Sequence, residues 1–308
     1  MSVLVVGSMA YDSVITPRDE RDQALGGSAM FFSAAASFFT GVDLVAVVGE
    51  DFEIKELDFL KKRGVNLDGL ALEKGETFRW KGRYLDDMNE RETIYTHLNV
   101  FEHFKPSLPE HYRDNRFIFL ANINPDLQYN VLEQVRDPQF VAMDTMNFWI
   151  TGTPEELKQT LSKVDALIIN DSEVRLLSDE QNIFIGARKI QQMGPRILII
   201  KRGEYGATLI HGNSYFNCPA FPVEQLFDPT GAGDTFAGGL LGYLARTDKV
   251  DNENLRRAVV YATALASFCV EAFSADRLKE LTTKEIQNRS EEIYHMTRFE
   301  LKNAWEKA

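Results

Sequence analysis

Asp228-Pro-Thr-Gly-Ala-Gly-Asp-Thr-Phe-Ala-Gly-Gly239 joins a Gly-Ala-Gly turn to a lone carboxylate, Asp234, and to a run of small residues that opens a helix at once. A glycine-rich turn at a helix start exposes consecutive backbone N–H groups, and the helix dipole favours an anion there. A carboxylate beside a bound phosphate is repelled by it. It belongs there only if it takes a proton from a hydroxyl that attacks that phosphate. The stretch therefore points to phosphoryl transfer to an alcohol, with Asp234 as general base and Gly231, Ala232 and Gly233 as an anion hole. The bland alternative is a glycine-rich loop whose Asp234 merely suits the dipole. Asp228 and Thr230 upstream, and the tightly packed helix downstream, weigh against it.

A phosphate turn of this kind needs a sheet edge, and the rest of the chain supplies one. Short apolar runs recur at Val3–Val6, Leu44–Val48, Phe117–Leu120, Phe140–Met143, Ala166–Ile169 and Ile197–Ile200. They are mostly β-branched and lack polar alternation, as in parallel strands covered by helices on both faces. Helical stretches lie between them. Thr153-Pro-Glu-Glu156 reads as a capping box with proline at the first helical position, and Ser178–Gln181 has a similar spacing before the stretch 183–193. The expected fold is a Rossmann-like three-layer α/β/α sandwich with a mostly parallel sheet, in one domain over residues 1–308. Polar residues follow each run: Gly7 and Ser8, with Asp12 soon after; Gly49-Glu-Asp51; Asn122 and Asn124; Asp144 and Asn147; Asn170 and Glu173; Lys201 and Gly203. Ligands of open parallel sheets bind beyond the carboxyl ends of the strands, so the set is read as a ligand cleft. Gly26-Gly27-Ser28 opens another helix, apolar from Ala29 to Phe39, and its paired glycine permits close approach of a ligand.

One region breaks the pattern. In 77–85, Phe78, Trp80 and Tyr84 alternate with Arg79, Lys81 and Arg83. A polar turn at 86–90 follows, and Arg91–Asn99 can return as a second strand. This predicts a hairpin with an aromatic face and a solvated basic face, part of a small β-lid built from insertions at about 11–22 and 76–99. The C-terminal third is helical: Gly231–Arg246, Leu255–Ala272 and a surface helix from Thr283 carrying Ile286, Ile293, Phe299 and Trp305.

Composition narrows the partners. The formal net charge of -12 opposes non-specific binding to nucleic acid or to an anionic membrane. Two cysteines, Cys218 and Cys269, are too few for a disulfide framework and suit a reducing cytoplasm. No targeting segment or membrane-length apolar run is visible. The five histidines are scattered, so a zinc site is not expected.

These residues together resemble the PfkB carbohydrate kinases, the ribokinase-like sugar and nucleoside kinases. The likeness rests on 228–236, supported by Gly26-Gly27, Asn170-Asp-Ser-Glu173 and Lys201-Arg-Gly203, which occur in the family's order. It implies ATP- and Mg²⁺-dependent phosphorylation of a hydroxymethyl group on a small sugar. A nucleoside is the alternative acceptor, and a non-catalytic sugar- or nucleotide-binding protein is a rival of another class. By the same likeness Asp234 is the base and Gly231–Gly233 the anion hole. Asn170 and Glu173 help organise Mg²⁺ through water and, with Lys201 and Gly203, flank the nucleotide. Asp228 and Thr230 match a K⁺ site of many members. Asp12, Gly26 and Gly27 match acceptor contacts, with Phe31, Asn122 and Asn147 as further candidates. Phe31 stands where an asparagine is common, Trp149 where an arginine follows, and Phe273 where a glycine is common. A homodimer through the open edge of the lid is also implied. A nicotinamide enzyme is disfavoured, since Gly7-Ser-Met-Ala10 is not G-x-G-x-x-G, and no P-loop sequence occurs.

Overall fold

The computed structural model describes residues 2–298, so Phe299 and Trp305 lie outside the described residues. Nine strands form the main sheet: β1 (Ser2–Val6), β4 (Gly41–Gly49), β5 (Val65–Glu73), β8 (Phe117–Leu120), β9 (Phe140–Asp144), β10 (Ala166–Asn170), β11 (Ile197–Lys201), β12 (Ala207–His211) and β13 (Ser214–Cys218). Their order is β13-β12-β11-β10-β9-β8-β1-β4-β5. From β5 to β11 all neighbours are parallel, and β12 and β13 close one end antiparallel.

The unbroken apolar runs are explained by burial on both faces. Val3 and Val5 of β1, Phe117 and Phe119 of β8, and Ile197 and Ile199 of β11 enter one core. Leu4 and Val6, Ile118 and Leu120, and Leu198 and Ile200 enter the other. The first core is covered by α1 (Ser28–Ala36), α8 (Ala232–Thr247), α9 (Asn252–Cys269) and α11 (Thr283–Thr297). The second is covered by α3 (Pro125–Leu132), α5 (Pro154–Leu161), α6 (Asp171–Ser178) and α7 (Ile183–Gln191). This is the three-layer α/β/α arrangement that the runs predict.

The small residues of α8 have a packing role. A Cβ at Gly238 would sit 2.2 Å from the Phe32 carbonyl oxygen, and one at Gly242 2.8 Å from Ala36 Cα, so α8 lies directly against α1. Gly238→Ala is expected to destabilise the protein by about 1–3 kcal/mol through overpacking. A shift of the urea midpoint at unchanged slope measures it, and an unshifted midpoint would show that α1 yields freely.

A second sheet, order β3-β2-β6-β7, contains β2 (Ala10–Ile15), β3 (Glu20–Gly26), β6 (Phe78–Tyr84) and β7 (Arg91–His97). The β6–β7 hairpin is the expected one, but its basic face is not free in solvent. Arg79 pairs with Asp51 at 2.7 Å and Lys81 with Asp22 at 3.0 Å. Asp51 also accepts the N–H and hydroxyl of Thr77, both at 2.7 Å, and thereby ties the start of β6 to the end of β4.

Two expected caps do not form. Thr153 lies at the junction of α4 (Asn147–Gly152) and α5, and its hydroxyl donates to the Trp149 carbonyl instead of capping α5. Ser178 ends α6, its hydroxyl bonded to the Val174 carbonyl, and Asn182 caps α7.

Candidate active site

Gly231 takes a left-handed conformation (φ 77°), which costs glycine little and other residues more. The turn also has no room for a side chain: a Cβ there would lie 2.4 Å from the Phe31 ring. Phe31 is 2% exposed, so its observed contact is beneath the turn. The Ala232 N–H is taken by the Pro229 carbonyl at 3.2 Å, and the first helical bond runs from the Thr235 N–H to the Gly231 carbonyl at 2.8 Å. Of the other donors at the helix start, the Asp234 N–H lies against its own carboxylate, which leaves the Gly233 N–H unclaimed.

Around that end the strand termini place charged groups. Asp144 ends β9 and Lys201 ends β11, with the ammonium 3.3 Å from the Asp144 carboxylate. Both are largely buried, at 20% and 8% side-chain exposure for the lysine and the aspartate. The Lys201 Nζ also lies 3.0 Å from where a Gly233 Cβ would be, so its charge abuts the turn. Burial opposes that charge, but Asp144, Glu173 and Asp234 outweigh it and raise the lysine pKa. The ammonium therefore stays protonated.

Burial, reinforced by the Asp144 charge and relieved by Lys201 and Arg91, raises Asp234 from 3.8 to about 7. Glu173 is raised to about 7 by burial and then by Asp144. Asp12 is raised to about 7 by burial, with Asp228 and Asp234 adding to it. A Cβ at Gly26 would lie 2.0 Å from the Asp12 carboxylate, so the diglycine makes room for this aspartate. Three carboxyls raised together beside the glycine turn make this sheet edge a candidate functional site.

The Asn170-x-x-Glu173 element is a true capping box at the start of α6. The Asn170 side chain accepts the Glu173 N–H at 2.8 Å, and Glu173 accepts the Asn170 N–H at 2.9 Å. Gly203 has φ 53°, and a Cβ there would lie 2.9 Å from the Asn89 side-chain oxygen in the β6–β7 turn. Asn122 accepts the Trp149 indole N–H at 2.9 Å, while Asn147 is exposed and accepts the Phe148 N–H. Phe148 is 61% exposed and stands edge-on to Trp149.

Two residues gain importance beyond the sequence reading. Asp144 registers there as one polar strand end among several, and through the loose likeness of Asp144-Thr-Met-Asn147 to a D-x-N element of some family members, but is given no role. Arg91 registers as the start of a returning strand, yet its charge acts on Asp12, Glu173 and Asp234 together. Its place as the first strand residue after a polar turn is the one signal in the sequence.

The resemblance implies two ions, Mg²⁺ and K⁺. Among the described residues no group of three or more His, Cys, Asp or Glu is placed to hold a metal. Mg²⁺ keeps several waters and rides on substrate phosphates, so a site for it needs no such group. Asp228 is already served by the N–H groups of Thr230 (2.9 Å) and Ser274 (3.2 Å), and the Thr230 carbonyl accepts the Cys269 thiol. No helix among the described residues is long and apolar enough to cross a membrane.

Known proteins resemble this chain in sequence and in fold. A cytidine kinase of Thermococcus kodakarensis is 26% identical over 256 residues, covering 80% of this chain and 89% of that one. A nucleoside kinase of Methanothermobacter thermautotrophicus is 24% identical, covering 87% and 89%. The structure of Burkholderia thailandensis nucleoside kinase in complex with inosine superposes with a TM-score of 0.79 at 20% identity, covering 95% of this chain and 98% of that one. Thermotoga maritima ribokinase does so at 0.73 and 20%, covering 94% and 99%. The family model for pfkB family carbohydrate kinases matches residues 2–281, so the chain belongs to that family of phosphotransferases with sugar or nucleoside acceptors.

Proposed function

We propose that this kinase transfers the γ-phosphate of ATP to the primary hydroxyl of a nucleoside. The acceptor's ring hydroxyls would lie against Asp12 and the Gly26-Gly27 backbone. The observation that carries the phosphotransfer reading is the helix start at Asp234. The unclaimed Gly233 amide, a protonated Lys201 and a carboxylate with a pKa of about 7 converge there. The nucleoside reading is favoured over a free sugar by two supports. The two relatives above are a cytidine kinase and a nucleoside kinase. The exposed Phe148, edge-on to Trp149, offers an aromatic surface to a base at the carboxyl edge of β9.

In this reading Asp234 accepts the hydroxyl proton as the new O–P bond forms and the bond from the γ-phosphorus to the β,γ-bridging oxygen breaks, with ADP leaving. The Gly233 amide and Lys201 balance charge on the migrating group, where fixed donors act most strongly. Asn170, Glu173, Lys201 and Gly203 border the nucleotide. Bound Mg²⁺ would neutralise phosphate charge, with Glu173 holding its water shell. Asp228 serves the loop through its two amide bonds, so no step depends on K⁺. The small sheet acts as a lid, and its open β7 edge offers pairing to a second copy.

An ADP-release screen over cytidine, inosine, adenosine, ribose, fructose and keto-deoxy sugar acids tests the reading. Each is run with K⁺ and with K⁺ replaced by tetramethylammonium. Turnover is expected on one or more nucleosides, changed less than about twofold by K⁺. Turnover confined to free sugars overturns the nucleoside assignment. Strict K⁺ dependence overturns the role given to Asp228. Absence of ADP release with every acceptor in the set, alongside tight ATP binding, favours a binding protein.

A further inference from the structure

The small sheet touches the nucleotide half of the molecule at a point that the reaction scheme does not use. Val14 of β2, Tyr84 of β6 and Phe273 form a separate buried apolar cluster, with Trp80 and Met88 packed on it. Phe273 belongs to the loop after α9, so its ring is a seat for the lid on the main body. The Tyr84 hydroxyl lies 3.2 Å from the Thr230 hydroxyl, one residue before the anion-hole turn. The next residue of the seat loop, Ser274, gives its N–H to Asp228 (3.2 Å) and its hydroxyl to the Leu25 carbonyl of β3. Asp228 in turn accepts the Thr230 N–H at 2.9 Å. Two lid strands, β3 and β6, are thus wired to the one segment that precedes Gly231.

We propose that Tyr84 and Phe273 form a latch through which closure of the lid sets the anion-hole turn. Phe273 holds the lid down, and Tyr84 passes its position to Thr230. Both are positioning residues. The latch rests on the reading that the turn holds the migrating phosphoryl group. In the open state Thr230 loses the Tyr84 hydroxyl, while Asp228 keeps the N–H groups of Thr230 and Ser274. The turn then relaxes, and ATP without an acceptor meets an unset hole. The arrangement ties phosphoryl transfer to the presence of an acceptor under the lid.

The test uses Tyr84→Phe, Phe273→Gly, the double variant and, separately, Asp234→Asn, each as the full chain. Kinetics use ATP with the best acceptor of the screen above, and amide hydrogen exchange is followed without ligands at 78–97 and 228–235. Tyr84→Phe removes one oxygen. Loss of one hydrogen bond predicts kcat lowered about fivefold, acceptor KM within about twofold, and about fivefold faster exchange at 228–235. Phe273→Gly is expected to speed exchange in both segments and to raise acceptor KM. Adding Tyr84→Phe to it then changes kcat by less than about twofold, because residues acting through one contact are not additive. Effects that multiply, or unchanged exchange at 228–235 in Tyr84→Phe, overturn the latch. If Phe273→Gly does not fold, the Tyr84→Phe exchange decides alone. An active Asp234→Asn variant removes the reading of the turn itself. An inactive one beside a normal Tyr84→Phe removes only the latch.

Discussion

An Asp234→Asn variant is expected to bind ATP normally, to lose about 10²–10⁴-fold in kcat, and to melt at a higher temperature than the parent protein above neutral pH. The first two outcomes follow from its role as base. The third follows from linkage. The folded Asp234 has a pKa of about 7 against an ordinary value of 3.8. Stability from a group raised in this direction is fully present below about 3.8 and is lost as pH rises through about 7. At pH 8 the ligand-free protein therefore carries a buried charge that the asparagine lacks. Below about pH 3.8 the aspartate is neutral in the folded and the unfolded chain alike, so the two melting temperatures should converge there, and the gap at pH 5 should be smaller than at pH 8. Asp12 and Glu173 are shifted the same way, so the parent protein alone should lose stability from pH 5 to pH 8. Its kcat/KM should move oppositely, rising to a plateau above about pH 7 as the base ionises. Differential scanning calorimetry across that range and a pH–rate profile measure both. Near-normal turnover in the variant refutes the base. Melting temperatures that run parallel at all pH values refute the raised pKa.

Much of this was legible in the sequence because burial writes itself into composition. The runs at Val3–Val6, Phe117–Leu120 and Ile197–Ile200 are apolar at every position because both faces are covered, whereas a strand with one face in water would alternate with polar residues. The strands that went unread, β5, β12 and β13, lie at the ends of the sheet. Tyr215 of β13 and Leu72 of β5 face solvent, so the apolar signal is diluted there. Glycine in the Asp228–Gly239 stretch was legible as a turn, but its partners were not. That Phe31 fills the space beneath Gly231, and that Gly238 meets the Phe32 carbonyl, are facts about two helices brought together by the fold. The capping signals show the same limit. Asn170-x-x-Glu173 forms its box, while Thr153-x-x-Glu156 does not, because α4 ends directly before it and claims the threonine hydroxyl. Arg91 and Asp144 were least legible of all. Their significance is electrostatic and depends on which strand ends converge.

Lys201→Met is expected to lower kcat by about 10²–10³-fold, the usual cost of removing one preorganised donor from a site of developing charge. The same change strands the Asp144 carboxylate, which is 8% exposed and takes its ion pair from this lysine at 3.3 Å. Breaking a buried pair from one side costs about 3–5 kcal/mol, so the single variant confounds catalysis with folding. Adding Asp144→Asn separates them. The double variant no longer strands the Asp144 carboxylate, and it should recover most of the lost stability in urea denaturation. It should not recover turnover, since neither methionine nor asparagine places a positive charge beside Gly233. ATP affinity should weaken in both variants alike. Recovery of turnover together with stability would show that Lys201 acts only by neutralising Asp144. Failure of stability to recover would show that the pair is essential to the ends of β9 and β11 themselves. The opposite split, stability restored and catalysis absent, places the ammonium on the phosphoryl group. That follows from its location: Asp144 holds the lysine from behind, and the space at Gly233, 3.0 Å ahead of Nζ, is the one that a glycine keeps open.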